Sequence, residues 1–283
     1  RAPGGRPAGL GTRSPGRRSP SVGRASARGV LPTAYSHDTL VQYLSRVVES
    51  PALIVDVGSA VSTLSAYDDG SVRTIIRTDL GLGHSARQLL ATLGDEAVTR
   101  WLPFPIETAE LDNYTLNKSV RPATIPETLR DLYIEQALLC AALTALMQTV
   151  RPVGALAEAL PRYNPIIGCG AALTQTGSPG IAALLLLNAI QPEGITTWRT
   201  DPYGLVPALG ALARVQPEAV VQTLDGGGLE RLGMAVSLSG QPRAERPALD
   251  VRITTSVGEV IEQQVMGGHL WVYPLPTGQQ AEV

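Results

Sequence analysis

The residues best suited to chemistry lie in glycine-bearing turns. The first is IVDVGSAVSTLSAYDDG, Ile54 to Gly70, where an apolar run carries Asp56 and ends at Gly58, followed by Ser59 and Ser62 and then a second extended segment. Such a turn lets backbone N–H groups approach a phosphate, because glycine leaves room for the ligand and hydroxyls add donors. Asp56, at the end of a buried strand, is placed to hold a metal-bound water. An ordinary tight hairpin turn with an acidic end has the same composition, and this segment alone does not separate the two. The second turn is IIGCGAALTQTGSPG, Ile166 to Gly180, in which an apolar strand runs into Gly168 and Gly170 at a helix start. Backbone of this kind can press against an adenine or ribose. A βα turn that merely needs close packing looks the same. A third segment, RTDLGLGHSARQLL from Arg77 to Leu90, places Gly81 and Gly83 before a helix capped by Ser85. Asp79 and His84 are its candidate ligand contacts, although a lone histidine beside a helix start is more often a surface or capping group. His37 and His269 have no partner pattern. Cys169 sits in a glycine loop without a nearby base and reads as a small apolar filler rather than a nucleophile.

The elements that must position these turns follow from hydrophobic periodicity. Leu40, Val41, Leu44, Val47 and Val48 recur at helical spacing, with capping oxygens offered by Ser36 and Asp38, so a helix is expected over 38–48. Leu53 to Val57 and Ser71 to Arg77, the latter behind the turn residues Asp68, Asp69 and Gly70, read as a β-hairpin with a buried first strand. Helices are expected over 85–93, 108–119, 134–150 and 180–190, with Pro103, Pro105, Pro122 and Pro126 marking an irregular stretch among them. After Gly233 the pattern turns to short β-favouring segments, 250–255, 260–265 and 270–273, split by Gly258, Gly267 and Gly268. The expected fold class is α/β, a mixed sheet flanked by helices with a small β-rich carboxyl-terminal extension. The expected divisions are a tail over 1–29, a main lobe over 30–232 and the extension over 233–283.

Composition limits the function classes. A chain of 283 residues with 44% hydrophobic content can bury a sizeable core. The net charge of −2 conceals an arginine-rich start: residues 1–29 hold seven arginines and no acid, which leaves 16 basic against 25 acidic side chains, about −9, for the rest. The globular part is therefore no nucleic-acid binder by charge. The tail, built from Arg, Gly, Pro, Ser and Ala, cannot bury enough surface to order itself and is expected to be a disordered, solvated segment, an RNA-binding or targeting arm being the functional alternative. Two cysteines, Cys140 and Cys169, with no second Cys or His at ligand spacing, speak against a disulfide framework or a zinc site and fit a reducing cytoplasm. The apolar runs Ala137 to Met147 and Ile181 to Leu187 fall short of the roughly 20 residues that cross a bilayer.

Taken in order, the three glycine segments resemble the second lobe of the actin/Hsp70/sugar-kinase superfamily. More narrowly, the chain resembles the glutamate mutase accessory (MutL/GlmL-like) family. WLPFPI (Trp101 to Ile106), NYTLNK (Asn113 to Lys118), LLLLNAIQPEGIT (Leu184 to Thr196) and a Leu-Xaa-Pro-Xaa-Leu-Gly element at Leu205 to Gly210 add to the likeness, which covers about residues 50–280. The resemblance implies ATP with Mg2+ as cofactor. It assigns a phosphate role to Asp56, Gly58, Ser59 and Ser62, and an adenosine role to Gly168, Gly170 and Ala171. The departures are Ser59, where relatives usually carry Gly, Ser62, where they carry Thr, and Ala171, where they carry Gly. It also implies a function: ATP-linked assembly or reactivation of a coenzyme-B12-dependent aminomutase such as glutamate mutase, in the cytoplasm. A nucleotide-free protein-binding scaffold and a fragment of a small-molecule kinase are the alternatives. No earlier Asp-Xaa-Gly-Ser/Thr turn precedes Asp56, so the resemblance implies a lobe that is truncated or completed by another polypeptide, and not catalytic alone.

Overall fold

The computed structural model describes residues 31–150, 162–240, 242–276 and 278–283, and the arginine-rich tail lies outside them. Its centre is a six-stranded mixed sheet in the order β3-β2-β1-β4-β5-β6. β1 (Ala52–Val57), β2 (Ser62–Asp68) and β3 (Ser71–Arg77) form an antiparallel meander. β1 also runs parallel to β4 (Ile166–Cys169), β4 parallel to β5 (Gly194–Thr200), and β5 antiparallel to β6 (Glu230–Ser237). The expected direct hairpin between 53–57 and 71–77 is corrected here, because β2 stands between them and pairs with both. Asp69 and Gly70, both at positive φ, make the two-residue loop into β3.

β2 evades a hydrophobic count because its small hydroxyl residues are buried with partners. Leu64 and Ala66 face one layer of core, and Ser62 on that side donates its hydroxyl to the Leu80 carbonyl. On the other side Thr63 meets His37, and Ser65 donates to Asp38. Both partners come from α1 (Thr33–Val48), which reaches five residues further toward the amino end than its apolar positions alone mark.

Strand alternation splits the core in two. Leu53, Val55 and Val57 pack with α2 (Ala86–Leu93), α3 (Asp95–Thr99), α4 (Thr108–Val120), α5 (Leu129–Gln148) and α7 (Pro179–Ile190), which follows the single-turn α6 (Ala171–Thr174). Ala52 and Ile54 pack instead with Leu40, Val41 and Leu44 of α1, with Val206 and Leu209 of α8 (Val206–Leu212) and with Val220 of α9 (Pro217–Asp225). A parallel strand pair covered on both faces needs apolar side chains in both directions, which is why β1 reads as a continuous run.

α5 begins five residues before the apolar run from Ile134, at a capping box in which Thr128 and Asp131 satisfy each other's backbone N–H. Its central turns, Leu138 to Leu143, are buried throughout, and truncating one such leucine to alanine costs about 2–5 kcal/mol in a core of this kind. On the opposite face α8 crosses α1 so closely that a Cβ at Gly210 would strike the Ser36 carbonyl oxygen.

β7 (Pro247–Thr255), β8 (Val260–Met266) and β9 (Ala281–Glu282) form a separate antiparallel sheet in the order β8-β7-β9. The small terminal sheet is present, but its third strand is β9. The stretch 270–273 is irregular, with Trp271 and Tyr273 stacked at 6.0 Å just ahead of Pro274 and Pro276, which offer no backbone donor. β6 stays in the large sheet as far as Ser237, so that strand straddles residues 232 and 233. No described helix is long and apolar enough to cross a membrane.

Candidate functional site

The carboxyl ends of the three parallel strands β1, β4 and β5 gather at one edge of the sheet, the edge where open α/β sheets take ligands. Strand register decides which side chains meet there. Asp56 lies opposite Cys169 on β4 and Thr63 on β2, so all three share the face covered by α1 and α8. Asp201 follows β5 directly and is buried. Its carboxylate accepts the backbone N–H groups of Leu205 at 2.8 Å and Val206 at 2.7 Å, capping α8, while its own N–H donates to the Gly168 carbonyl.

His37 descends from α1 onto this group. Its Nδ1 lies 3.2 Å from the Thr63 hydroxyl, and its Nε2 lies 3.9 Å from Asp56 Oδ2 with no hydrogen-bond partner among the described residues. Burial pulls the imidazole down to about 4, against the weaker opposing pull of Asp38 and Asp201, so it is uncharged near neutrality. Burial also pushes Asp56 up to about 6, and the neighbouring Asp201 charge adds to the effect. The Cys169 thiol, buried beside both carboxylates, is pushed well above its ordinary value and is no nucleophile.

The β1–β2 turn stands just outside. Gly58 is half-buried, while Ser59 and Ala60 are exposed. The following loop supports the turn from below. Leu82 N–H donates to Gly58 O, Gly83 N–H to Ser59 O, and the Ser85 hydroxyl to Ala60 O. His84 completes the support, with its N–H 3.2 Å and its Nδ1 3.0 Å from the Ser59 hydroxyl. The turn's carbonyls are thus taken inward, and among the described residues no hydrogen bond engages the N–H of Ser59 or Ala60. Unengaged donors on an exposed turn suit an anion.

Across the parallel pair, Gly170 has φ near 101° and lies against β1 so tightly that a Cβ would strike the Val57 carbonyl oxygen. Only glycine holds that conformation at that distance without strain. Ala171 follows, exposed, at the start of α6. Beyond it a pocket of about 260 Å³ is lined by Thr174 to Pro179 together with Thr200 and Glu230.

Of the seven residues singled out in the sequence, Asp56, Gly58, Ser59, Gly170 and Ala171 are therefore brought to one edge. Ser62 and Gly168 lie at the same edge, opposite Val57 and Thr200, but face inward. Ser62 is fully buried with its hydroxyl spent on Leu80, and Gly168 has no space for a side chain against Leu173 and Leu186. Asp79 is likewise committed, to a bidentate pair with Arg77 at 2.6 and 2.7 Å. His37 and Asp201 escaped sequence reasoning. A signal existed for each: Asp201 closes the alternation Thr196, Trp198, Thr200 and opens a Pro-Tyr-Gly turn, and His37 shares the apolar face of α1 with Leu40, Val41 and Leu44. Among the described residues no group of three or more His, Cys, Asp or Glu side chains is arranged to hold a metal ion.

Fold and edge together define an α/β lobe whose candidate site lies at the carboxyl ends of its parallel strands. A family model described as MutL protein matches residues 19–226, and the chain belongs to this family, the glutamate mutase accessory family identified from its motifs. No curated protein matches the chain. Among solved structures, component A of the (R)-2-hydroxyglutaryl-CoA dehydratase of Acidaminococcus fermentans is similar at a TM-score of 0.37 and 11% identity, over 67% of this chain and 69% of that one.

Proposed function

We propose that this lobe binds ATP with Mg2+ at the edge formed by Asp56, Gly58, Ser59, Gly170 and Ala171, and that it acts as an accessory protein assembling or reactivating a coenzyme-B12-dependent aminomutase such as glutamate mutase in the cytoplasm. One observation carries the reading. Two glycine turns more than 100 residues apart in sequence meet across the β1–β4 pair, where Gly170 lies on Val57 beside an exposed turn whose Ser59 and Ala60 N–H groups carry no hydrogen bond among the described residues. Bound ATP would supply the free energy of phosphoryl transfer. The chain's own part is to receive the phosphates on the N–H groups of Ser59 and Ala60, to bring backbone against the nucleoside at Gly170 and Ala171, and to hold a water with Asp56.

Contacts on an open edge are weaker than those in a closed cleft. Charge-assisted hydrogen bonds exposed to water contribute about 1 kcal/mol or less instead of ~1.5–3, so the dissociation constant is expected in the millimolar range. Backbone amide NMR with added ATP and magnesium tests this. Shifts clustered on residues 56–60 and 170–171 support the reading, and shifts that are absent or scattered refute it.

A second reading, a nucleotide-free scaffold that binds a protein partner, is favoured by the commitment of Ser62, Gly168 and the Ser59 hydroxyl to internal contacts. Co-purification with the mutase that is indifferent to ATP would select it, whereas release or capture dependent on ATP selects the first.

A further inference from the structure

His37 is the least exposed ionisable group at the strand ends, 1% accessible, and its environment is unusual in one respect. One ring nitrogen is served by Thr63, and the other is buried without a hydrogen bond. An unsatisfied buried nitrogen is costly to keep and persists where it serves something. The group nearest to it across the unfilled distance is the Asp56 carboxylate, at 3.9 Å.

We propose that His37 is the positioning residue for Asp56: Nε2 closes on the carboxylate as a hydrogen-bond donor and fixes which oxygen is turned toward the β1–β2 turn. The tautomer follows from the partners. With Thr63 donating its O–H to Nδ1, the ring proton sits on Nε2 and faces an ionised Asp56. When Asp56 is protonated the direction reverses, its O–H donating to a bare Nε2 while Nδ1–H donates to the Thr63 oxygen. One hydrogen bond is kept in either state, and no net charge enters the ring.

The backbone around the pair allows only a small closing movement. α1 is tethered to the sheet by Asp38, which accepts from Ser65 and Thr74 at 2.7 Å each, and it is wedged against α8 where Gly210 meets Ser36. A shift of about 1 Å between α1 and β1, well within side-chain and helix adjustments, brings Nε2 to bonding distance. α8 in turn starts on the Asp201 cap, so contacts link α1, α8 and the strand ends.

The groups facing His37 are Asp56 on β1, Asp201 after β5, Cys169 on β4 and, on its own helix, Asp38. Three are carboxylates, so protonation of the ring would be electrostatically welcome, and burial is what prevents it.

The test uses the full chain with 15N-labelled histidine, in which only His37, His84 and His269 contribute. His37 is expected as the neutral Nε2–H form at pH 7.5, with its ring shifts tracking a carboxyl titration as the pH is lowered. In Asp56→Asn that inflection disappears, while the resonances of His84 and His269 stay in place. A His37 that takes a proton at the ordinary histidine value of about 6.5, or that ignores Asp56→Asn, overturns the proposal.

A second arm rests on the nucleotide reading above. His37→Leu should weaken ATP binding about tenfold and His37→Gln should recover most of it, since the amide restores a donor. Equal loss in both, with equal falls in thermal midpoint, means that His37 only fills space and overturns the positioning role. Absence of nucleotide shifts in the unaltered chain refutes the nucleotide reading, and the histidine titration then still decides the pair.

Discussion

Asp56 and His37 pull stability in opposite directions as pH changes. Asp56 is held up at about 6 from 3.8, and His37 down at about 4 from 6.5, both mainly by burial. As pH falls from 6 to 4 the folded Asp56 binds a proton that the unfolded chain does not, which favours folding. Over 6.5 to 4 the unfolded His37 binds a proton that the folded one refuses, which disfavours it. By linkage each effect amounts to about 3 kcal/mol at full extent, so the two nearly cancel. Relative to the unaltered chain, Asp56→Asn should therefore lose stability as pH is lowered through this window, and His37→Gln should gain it. Urea midpoints at unchanged slope measure both, and the same sign in the two variants would refute the assignment. The serines make a second contrast. Ser62→Ala removes a buried bond to Leu80 and should cost about 1 kcal/mol of stability with ATP shifts unaltered, whereas Ser59→Ala should alter those shifts at little cost to stability. In sequence the two hydroxyls looked alike, because spacing from Gly58 does not tell which one the Leu80 carbonyl claims. Each of Asp201 and His37 left a local signal, but nothing in the sequence said that the two meet: they join the site through strand ends and a helix face that only the assembled sheet brings together.

Helices with a one-sided or fully apolar pattern were legible within a few residues, α2 and α7 among them, since such a helix announces its spacing. β2 and β5 were missed because buried threonines and serines stand where apolar residues are sought. The same trade of apolar for polar burial joins α4 to α5. Lys118 Nζ lies 2.8 Å from Glu135, which also receives the Tyr114 hydroxyl, and both charges are largely buried. Lys118→Met should cost about 3–5 kcal/mol by stranding Glu135, and adding Glu135→Leu should restore much of it. Denaturant unfolding of the single and double variants decides this, and equal stability of all three refutes a buried pair. Gly210→Ala is the matching test of the α1–α8 crossing. Alanine is ordinarily the better helix former by about 1 kcal/mol, yet here its methyl meets the Ser36 carbonyl, so destabilisation by about 1–3 kcal/mol is expected.

The two sheets are joined by no hydrogen bond or ion pair among the described residues, and neither Ile253 nor Thr255, the buried residues of the smaller one, belongs to the two core clusters of the lobe. A chain ending at Gly240 should accordingly keep the cooperative unfolding of the six-stranded lobe, with a thermal midpoint within a few degrees, since lost contacts worth under about 1 kcal/mol move it by only ~2–4 °C in a lobe of this size. A much larger fall, read by calorimetry, would mean that the terminal sheet braces the lobe. The parallel pairing of β1 with β4 has a different consequence, for birth on the ribosome. Leu53 must wait for Ile166, while β2 and β3 follow β1 at once. Synthesis at about 5–20 residues per second leaves roughly 5–20 s in which one edge of the apolar β1 has no neighbour. An unpaired edge of that kind invites pairing with another nascent chain, so the yield of native protein should depend on translation speed and on chaperones that cover β1 until β4 emerges.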